Sequence, residues 1–178
     1  MYEAALAGKL KAMWIMGEDL VQTDPNTEHV KAALNALDFV VVQELFMTPT
    51  CEYADVILPA SSFLEKSGTF TNGERRVQRV NAVIPPLPGT KPDGVMIAEI
   101  MQRMGCNQAD YTPDGVLAEI AQIVPFFKGA TWEGLGDNGK QWPITDGCIG
   151  TEILHTDTFK RGLGKFRGWS LVPRSTPG

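Results

Sequence analysis

The chain has 178 residues, of which 43% are apolar and 21% are charged, so it is long enough for one domain with a substantial core. Its formal net charge of -5 excludes a basic surface for a phosphate backbone, and we expect no nucleic-acid partner. The three cysteines, Cys51, Cys106 and Cys148, are far apart, which argues against a disulfide framework, a metal site and an oxidising compartment. No apolar stretch approaches membrane-spanning length, so we expect a cytoplasmic protein without a membrane span.

The first strong pattern is a short apolar run over residues 12–16, followed at once by Gly17, Glu18 and Asp19. In an open parallel α/β sheet, ligands bind where strands end, and glycine allows a tight turn or a close approach of the backbone. The acidic loop is therefore a candidate site. The same succession of strand, acidic loop and helix also occurs in many α/β layers whose loop binds nothing. The stretch alone therefore leaves both interpretations open.

Two further strands and a helix follow in an order typical of a parallel sheet. Residues 25–37 have apolar positions at helical spacing, with Asp24 as the expected cap and Pro25 in the first turn. Residues 39–42 and 54–59 are apolar strands. Because such crossovers are right-handed, the pattern predicts a doubly wound, mostly parallel sheet with helices on both faces.

The carboxyl ends of these strands are predicted to meet at one edge. That edge would carry the acidic loop, then Gln43 with Glu44, and then Ser61 with Ser62.

The second half of the chain has weaker signals. Residues 65–78 suggest a hairpin or an extended loop, and a helix is expected from Asp93, as its cap, to Gly105. Thr112 is predicted to open a further helix that ends before Pro125. We divide the chain into an α/β domain over residues 1–125 and a loop-rich extension over residues 126–178.

Several ordered motifs together resemble a known family. They are Gly17-Glu18-Asp19, Thr23-Asp24-Pro25, Gln43-Glu44-Leu45-Phe46-Met47-Thr48, Ala54-Asp55-Val56-Ile57-Leu58-Pro59, Gly68-Thr69-Phe70-Thr71-Asn72, Glu74-Arg75-Arg76-Val77-Gln78 and Gln141-Trp142-Pro143. This series is similar to the molybdopterin oxidoreductase superfamily, and within it most resembles the catalytic (alpha) subunit of molybdenum- or tungsten-dependent formate dehydrogenases.

The resemblance implies an internal fragment of a longer subunit, covering its third domain. Such subunits oxidise formate to carbon dioxide at a metal held by two molybdopterin guanine dinucleotides (bis-MGD), and pass two electrons to iron–sulfur clusters. The 4Fe-4S cluster and the metal-ligating residue would lie in a preceding part. The resemblance therefore implies that this chain binds one guanine dinucleotide and contains no catalytic residue and no metal ligand.

The same resemblance assigns cofactor contacts. Guanine presents N1–H and a 2-amino group side by side, which a carboxylate accepts in parallel; Asp19 is the first choice and Glu18 the alternate. Gln43 would reach the ribose or base, and threonines would contact ribose or phosphate oxygens. Asp55 either bonds the ligand or braces its own loop. The predicted cofactor-binding residues are Gly17, Glu18, Asp19, Thr23, Gln43, Thr48 and Asp55.

Partners and alternatives also follow from the resemblance. The expected partners are the remaining domains of the same subunit, contacted through Asn72, Arg75 and Gln78, and electron-transfer subunits carrying iron–sulfur clusters or flavin. One alternative is a pterin-free structural domain of the large iron–sulfur subunit of NADH dehydrogenase, which shares part of the motif series. Another is a free-standing guanine-nucleotide-binding domain.

Overall fold

The computed structural model describes residues 1–156 and, beyond them, residues 159, 162, 166 and 168. The first half contains α1 (Tyr2–Leu6), β1 (Ala12–Met16), α2 (Leu20–Thr23), α3 (Thr27–Asn35), β2 (Phe39–Glu44), a 3₁₀ turn (Pro49–Tyr53), β3 (Val56–Pro59), β4 (Gly68–Thr71) and β5 (Arg76–Val80). The second half contains α4 (Asp93–Arg103), α5 (Pro113–Ile123), a 3₁₀ turn (Pro125–Phe127), α6 (Trp132–Leu135), β6 (Lys140–Gln141), β7 (Ile144–Thr145) and β8 (Ile149–Gly150).

The predicted parallel sheet is confirmed in a three-stranded form with the order β1-β2-β3. Its register pairs Ile15 with Val42 and Val42 with Ile57. Because residues that lie directly opposite one another on neighbouring strands point to the same side of a pleated sheet, these residues share one face. They pack there with Val30 and Leu34 of α3 in the first hydrophobic core.

The opposite face of the sheet carries Trp14, Met16, Phe39 and Val56, which are 39%, 43%, 45% and 38% exposed. We call this the second face, and the α3 side the first face. The carboxyl end of the second face is approached by α4, whose Met96 and Ile100 line a small cleft with Leu58. Helices therefore lie on both sides of the sheet, but α4 reaches only one end of the second face.

The helix expected over residues 25–37 is α3, which is shorter at both ends. Its cap is Asn26, whose side chain accepts a hydrogen bond from the His29 amide, so the prediction of Asp24 as the cap was wrong. Asp24 instead accepts from the Asn26 amide, and it follows α2, a short helix that the sequence analysis did not predict. The cap moves because α2 occupies the residues that lead into α3.

The next two helices lie close to their predicted positions, with one exception at a cap. The Thr112 side chain caps α5 by accepting from the Gly115 amide, as expected. Gly105 follows α4 with φ +86°, which suits glycine. Asp93, however, does not cap α4; Pro92 holds that position and the Asp93 carboxylate is directed to other partners.

Residues 68–80 form an antiparallel hairpin of β4 and β5, to which β6 adds as a third strand. This hairpin belongs to a second hydrophobic core of Val77, Leu117, Ala130, Leu135 and Ile144. Residues on both sides of position 125 thus share one core. The division into two units at that position stays a prediction. Within the described part of the chain, no helix is long and apolar enough to cross a membrane.

Candidate functional site

The carboxyl ends of β1, β2 and β3 meet at one edge of the sheet, as the parallel register requires. Immediately after β1, the Gly17 amide donates to the Gln43 carbonyl at 2.9 Å, which extends the ladder by one residue. Gly17 has φ +61°, a left-handed conformation that other residues adopt only with strain. The acidic loop therefore begins with a glycine turn directly at the end of β1.

Asp19 is held by its own protein through one of its two carboxylate oxygens. Oδ1 accepts from the Thr50 hydroxyl at 2.5 Å and from the Thr50 amide at 3.2 Å. The same hydroxyl accepts from the Val21 amide at 3.1 Å. Both bonds use Oδ1, so a ligand contact by Asp19 depends on Oδ2. The pairing of both oxygens with guanine, expected from the sequence, would have to share Oδ1 with Thr50.

Glu18 is exposed at the outside of the loop and accepts a hydrogen bond from the Thr23 hydroxyl. That hydroxyl also lies 3.0 Å from the Asp19 carbonyl oxygen. Thr23 therefore braces the acidic loop from within, and its hydroxyl is already committed to two protein acceptors.

Gln43 is the most deeply buried of the predicted site residues, with no exposed surface. Its Nε2 donates to Asp93 Oδ1 at 2.6 Å, and Asp93 Oδ2 accepts from Lys66. These three residues come from β2, α4 and the loop before β4, and we call them the Gln43–Asp93–Lys66 cluster. Gln43 and Asp93 are 50 positions apart in the sequence, and Lys66 and Asp93 are 27 positions apart, yet all three meet at the end of β2.

Electrostatics keep Asp93 ionised in this cluster. Burial acts to raise the pKa of the Asp93 carboxyl, but hydrogen bonds from Lys66 and Gln43 and the nearby lysine charge outweigh it and hold that pKa below its usual value. Burial, followed by the Asp93 charge, raises the pKa of nearby Tyr111. Lys66, Asp93 and Tyr111 line a cleft of about 280 Å³ that continues from the cluster towards α5.

Two buried polar atoms at this edge have no hydrogen-bond partner among the described residues: Gln43 Oε1 and Ser61 Oγ. Both residues have no exposed surface. A buried acceptor or hydroxyl without a partner is costly, by about 1–3 kcal/mol, unless a ligand or an ordered water satisfies it. The strand ends therefore present hydrogen-bonding capacity that the protein itself does not use.

Thr48 and Asp55 bond to other residues than those of this cluster. The Thr48 hydroxyl is 3.5 Å from Cys51 Sγ, beside the 3₁₀ turn that follows β2. Asp55 precedes β3, and its Oδ2 accepts from the Val40 amide at 2.7 Å near the start of β2. This is the amino end of the strands, so of the two roles considered for Asp55 the structure shows the bracing one.

Two of the three residues expected to reach other domains make side-chain contacts within the chain. Arg75 donates from its guanidinium to the carbonyl oxygens of Trp142, Thr151 and Glu152. Asn72 accepts from two amides of its own turn, at Glu74 and Arg76, and thereby shapes the β4–β5 connection. Arg75 and Asn72 thus have structural roles within the described chain, and a contact of any of the three residues with further domains stays a prediction.

Sequence reasoning missed Asp93 and Lys66 as site residues. Asp93 was interpreted as a helix cap, because it stands directly before an amphipathic segment. The signal that points to it is its place after Pro92, which fills the cap position and leaves the aspartate side chain for tertiary partners. Lys66 has no local signal at all. The described residues contain no group of three or more His, Cys, Asp or Glu side chains arranged to hold a metal.

The family model for the molybdopterin oxidoreductases, described as "Molybdopterin oxidoreductase", matches residues 1–103, which is more than half of the chain. The chain belongs to the molybdopterin oxidoreductase family. The match covers the parallel sheet, the acidic loop and the whole Gln43–Asp93–Lys66 cluster.

Similar curated proteins include several named as formate dehydrogenases. The putative formate dehydrogenase YrhE of Bacillus subtilis is 44% identical over 160 residues, or 89% of this chain and 16% of that protein. The F420-dependent formate dehydrogenase 2 subunit alpha of Methanococcus maripaludis is 40% identical over 163 residues, or 89% of this chain and 24% of that protein. The chain thus spans less than a quarter of the length of these relatives.

Among solved structures, acetylene hydratase from Pelobacter acetylenicus is similar, with a TM-score of 0.58 over 74% of this chain and 19% of that chain. The sequences are 24% identical, so the likeness concerns the fold. It agrees with the α/β architecture and the parallel sheet described above.

Proposed function

We propose that this chain is the part of a molybdenum- or tungsten-dependent formate dehydrogenase catalytic subunit that binds and orients one molybdopterin guanine dinucleotide. The observation that carries the proposal is the fully buried Gln43 at a strand end, whose Oε1 has no partner among the described residues while its Nε2 is fixed by Asp93. Family membership supplies the class of cofactor. The names of the relatives favour formate as the substrate.

The residues at this edge fit the guanosine end of such a cofactor. Guanine offers N–H donors that an amide oxygen or a carboxylate accepts, and ribose offers hydroxyl groups. Gln43 Oε1 and Ser61 Oγ supply unused hydrogen-bonding capacity, and Asp19 Oδ2 and Glu18 supply negative charge. Gly17 keeps the first turn free of a side chain where a nucleotide would approach.

Asp19, Gln43 and Lys66 have specific roles in this proposal. Asp19 contacts the base through Oδ2, because Thr50 holds the carboxylate in place through Oδ1. Gln43 contacts the ribose or base, and Asp93 fixes the orientation of its amide. Lys66 neutralises Asp93 and presents a positive charge to the adjacent cleft, which suits a phosphate.

The bound cofactor would supply the redox chemistry of formate oxidation, and this chain would supply binding and orientation. We therefore propose that the isolated chain is inactive and that its partners are the remaining domains of the subunit and electron-transfer subunits carrying iron–sulfur clusters or flavin. The wide separation of the three cysteines supports a reducing, cytoplasmic setting.

The test is cofactor content in the full-length subunit that carries this sequence. Gln43→Met keeps the approximate volume but removes the amide, and with it both Oε1 and the Nε2 donor to Asp93. The matched control is Gln22→Met at an exposed position in α2. A buried nucleotide donor left without a partner costs about 1–3 kcal/mol, so we expect a roughly fivefold or greater loss of affinity. The readout is guanine nucleotide released by acid and metal bound per subunit, with circular dichroism to verify folding.

Full guanine and metal content in Gln43→Met, or an equal loss in Gln22→Met, would contradict the proposal. Asp19→Asn provides a second variant, because its side chain still accepts from Thr50 but lacks the charge for the base. A wild-type subunit with no pterin at all would favour the NADH dehydrogenase alternative. Tight, selective binding of GMP over ADP by the 178-residue chain alone would favour a free-standing nucleotide-binding domain.

A further inference from the structure

Glu65 is a buried carboxylate that takes part in none of the ion pairs among the described residues. It is 7% exposed, and acidic side chains are rarely buried to this degree without a cation. Backbone amides hold it instead: Oε2 accepts from Ser62 at 2.7 Å, and Oε1 accepts from Leu87 at 2.8 Å. The carboxylate therefore joins the loop after β3 to a segment 22 positions further along the chain.

That segment, residues 82–92, is a connector with few means of attachment. Three of the four residues over 85–88 are prolines, which have no backbone N–H. The Leu87 amide is therefore the one main-chain donor in this stretch, and Glu65 accepts it. Two amides at the start of the connector donate to the Leu64 carbonyl, so Glu65 is the side chain that tethers its middle.

The connector leads directly to Asp93, the residue that fixes the amide of Gln43. Beyond Leu87, Lys91 pairs with Ala60 in a parallel bridge directly after β3, and α4 begins two residues later. Asp93 is the first residue of α4 and accepts from Gln43 Nε2 at 2.6 Å. A shift of the connector would therefore move Asp93 relative to Gln43.

The loop on the other side of the carboxylate carries two further residues of the strand-end edge. Ser61, whose buried hydroxyl has no partner among the described residues, directly precedes Ser62. Lys66, which donates to Asp93, directly follows Glu65. The Glu65 carboxylate thus lies between the two backbone segments that bring Ser61, Lys66 and Asp93 to this edge.

We propose that Glu65 is a positioning residue of the nucleotide site. By tethering the connector to the loop after β3, it sets the place of Asp93 and, through Asp93, the direction in which Gln43 Oε1 faces a ligand. Glu65 itself does not touch the ligand, because backbone amides occupy both of its oxygens. This role rests on the proposed function, since it requires a nucleotide at Gln43.

Two substitutions in the full-length subunit break the tether from opposite sides. Glu65→Met keeps the approximate length and removes both acceptor oxygens. Leu87→Pro removes the amide donor, at a position whose side chain is 65% exposed and whose backbone is already restricted by the proline that follows. The control, Leu87→Ala, loses the same exposed side chain but keeps the N–H.

The readout is the rate at which the subunit releases its guanine cofactor after extensive dilution, measured as guanine in the filtrate. We expect about fivefold faster release or more from Glu65→Met and from Leu87→Pro, and a wild-type rate from Leu87→Ala. The double variant should release cofactor no faster than Glu65→Met alone, because both substitutions break the same bond.

A second control separates positioning from general stability. Thr112→Ala removes the cap of α5 and leaves the tether intact, and the apparent thermal midpoint of each full-length variant is measured alongside release. Equal release from Thr112→Ala and Leu87→Pro at similar midpoints would overturn the proposal. So would wild-type release from both tether variants, fast release from Leu87→Ala, or additive acceleration in the double variant. Failure of the proposed function is a separate outcome, in which Gln43→Met keeps its full cofactor content.

Discussion

Replacing Asp19 by alanine separates the structural role of this residue from its proposed contact with a nucleotide. The carboxylate accepts from the Thr50 hydroxyl at 2.5 Å and from the Thr50 amide at 3.2 Å, and Thr50 has no exposed surface. A hydrogen bond to a charged group contributes about 1.5–3 kcal/mol, and a buried donor without a partner costs about 1–3 kcal/mol. The Thr50 hydroxyl keeps one bond, from Val21, which limits the loss.

We therefore expect Asp19→Ala to lower the free energy of unfolding by about 2–4 kcal/mol even without cofactor. Urea denaturation of the 178-residue chain, followed by tryptophan fluorescence, measures this difference. The control is Glu18→Ala, which removes a neighbouring exposed carboxylate and should change stability by less than about 0.5 kcal/mol. Equal effects of the two substitutions would refute the assignment of Asp19 as the brace between the acidic loop and the first 3₁₀ turn.

Three other substitutions probe the rest of the described chain. Asp55→Ala should lower the free energy of unfolding by about 1–2 kcal/mol, because it removes the bond from the Val40 amide. The cofactor content of the full-length subunit should not change. A loss of cofactor would show that Asp55 contributes to the binding site. The amide and the hydroxyl of Ser62, and then the Leu87 amide, hold the pKa of Glu65 below its usual value. The stabilisation that Glu65 provides is therefore present above about pH 4.3 and is lost as the pH falls through the lowered pKa. Glu65→Gln should flatten this acid-side loss in urea titrations between pH 5 and 3. Gly94→Ala would place a Cβ 2.2 Å from the Tyr111 ring, and this clash should lower the free energy of unfolding by about 1–3 kcal/mol. Adding Tyr111→Ala to the same chain should remove this penalty. Additive effects of the two substitutions on the free energy of unfolding would show that the ring is not the obstacle.

The fold was predictable where local patterns and sheet geometry agree. The apolar runs of β1 and β2, with α3 between them, require a parallel crossover, and the structure has one. The ends of α3 were less predictable, because Asp24 and Asn26 are both good caps and the short helix α2 decides between them. The formation of α2 depends on the packing of Val21 in the first core, and local sequence propensity does not predict such packing.

The candidate site was only partly predictable, because its key contacts are distant in sequence. Gln43 was recognised from its place at a strand end, but the positions of Lys66 and Asp93 depend on how α4 returns to the sheet. Asp19 looked open to ligand from the sequence, and its partner Thr50 comes from a turn 31 positions later. Strand ends are thus visible in a sequence, whereas the side chains that brace them are not.

The most direct measurement of the central claim is an experimental structure of the full-length subunit with its cofactor. We predict density for a guanosine at the carboxyl ends of β1 and β2, within hydrogen-bonding distance of Gln43 Oε1 and Asp19 Oδ2. An ordered water alone at Gln43 Oε1, with the guanine of each pterin held elsewhere in the subunit, would contradict it.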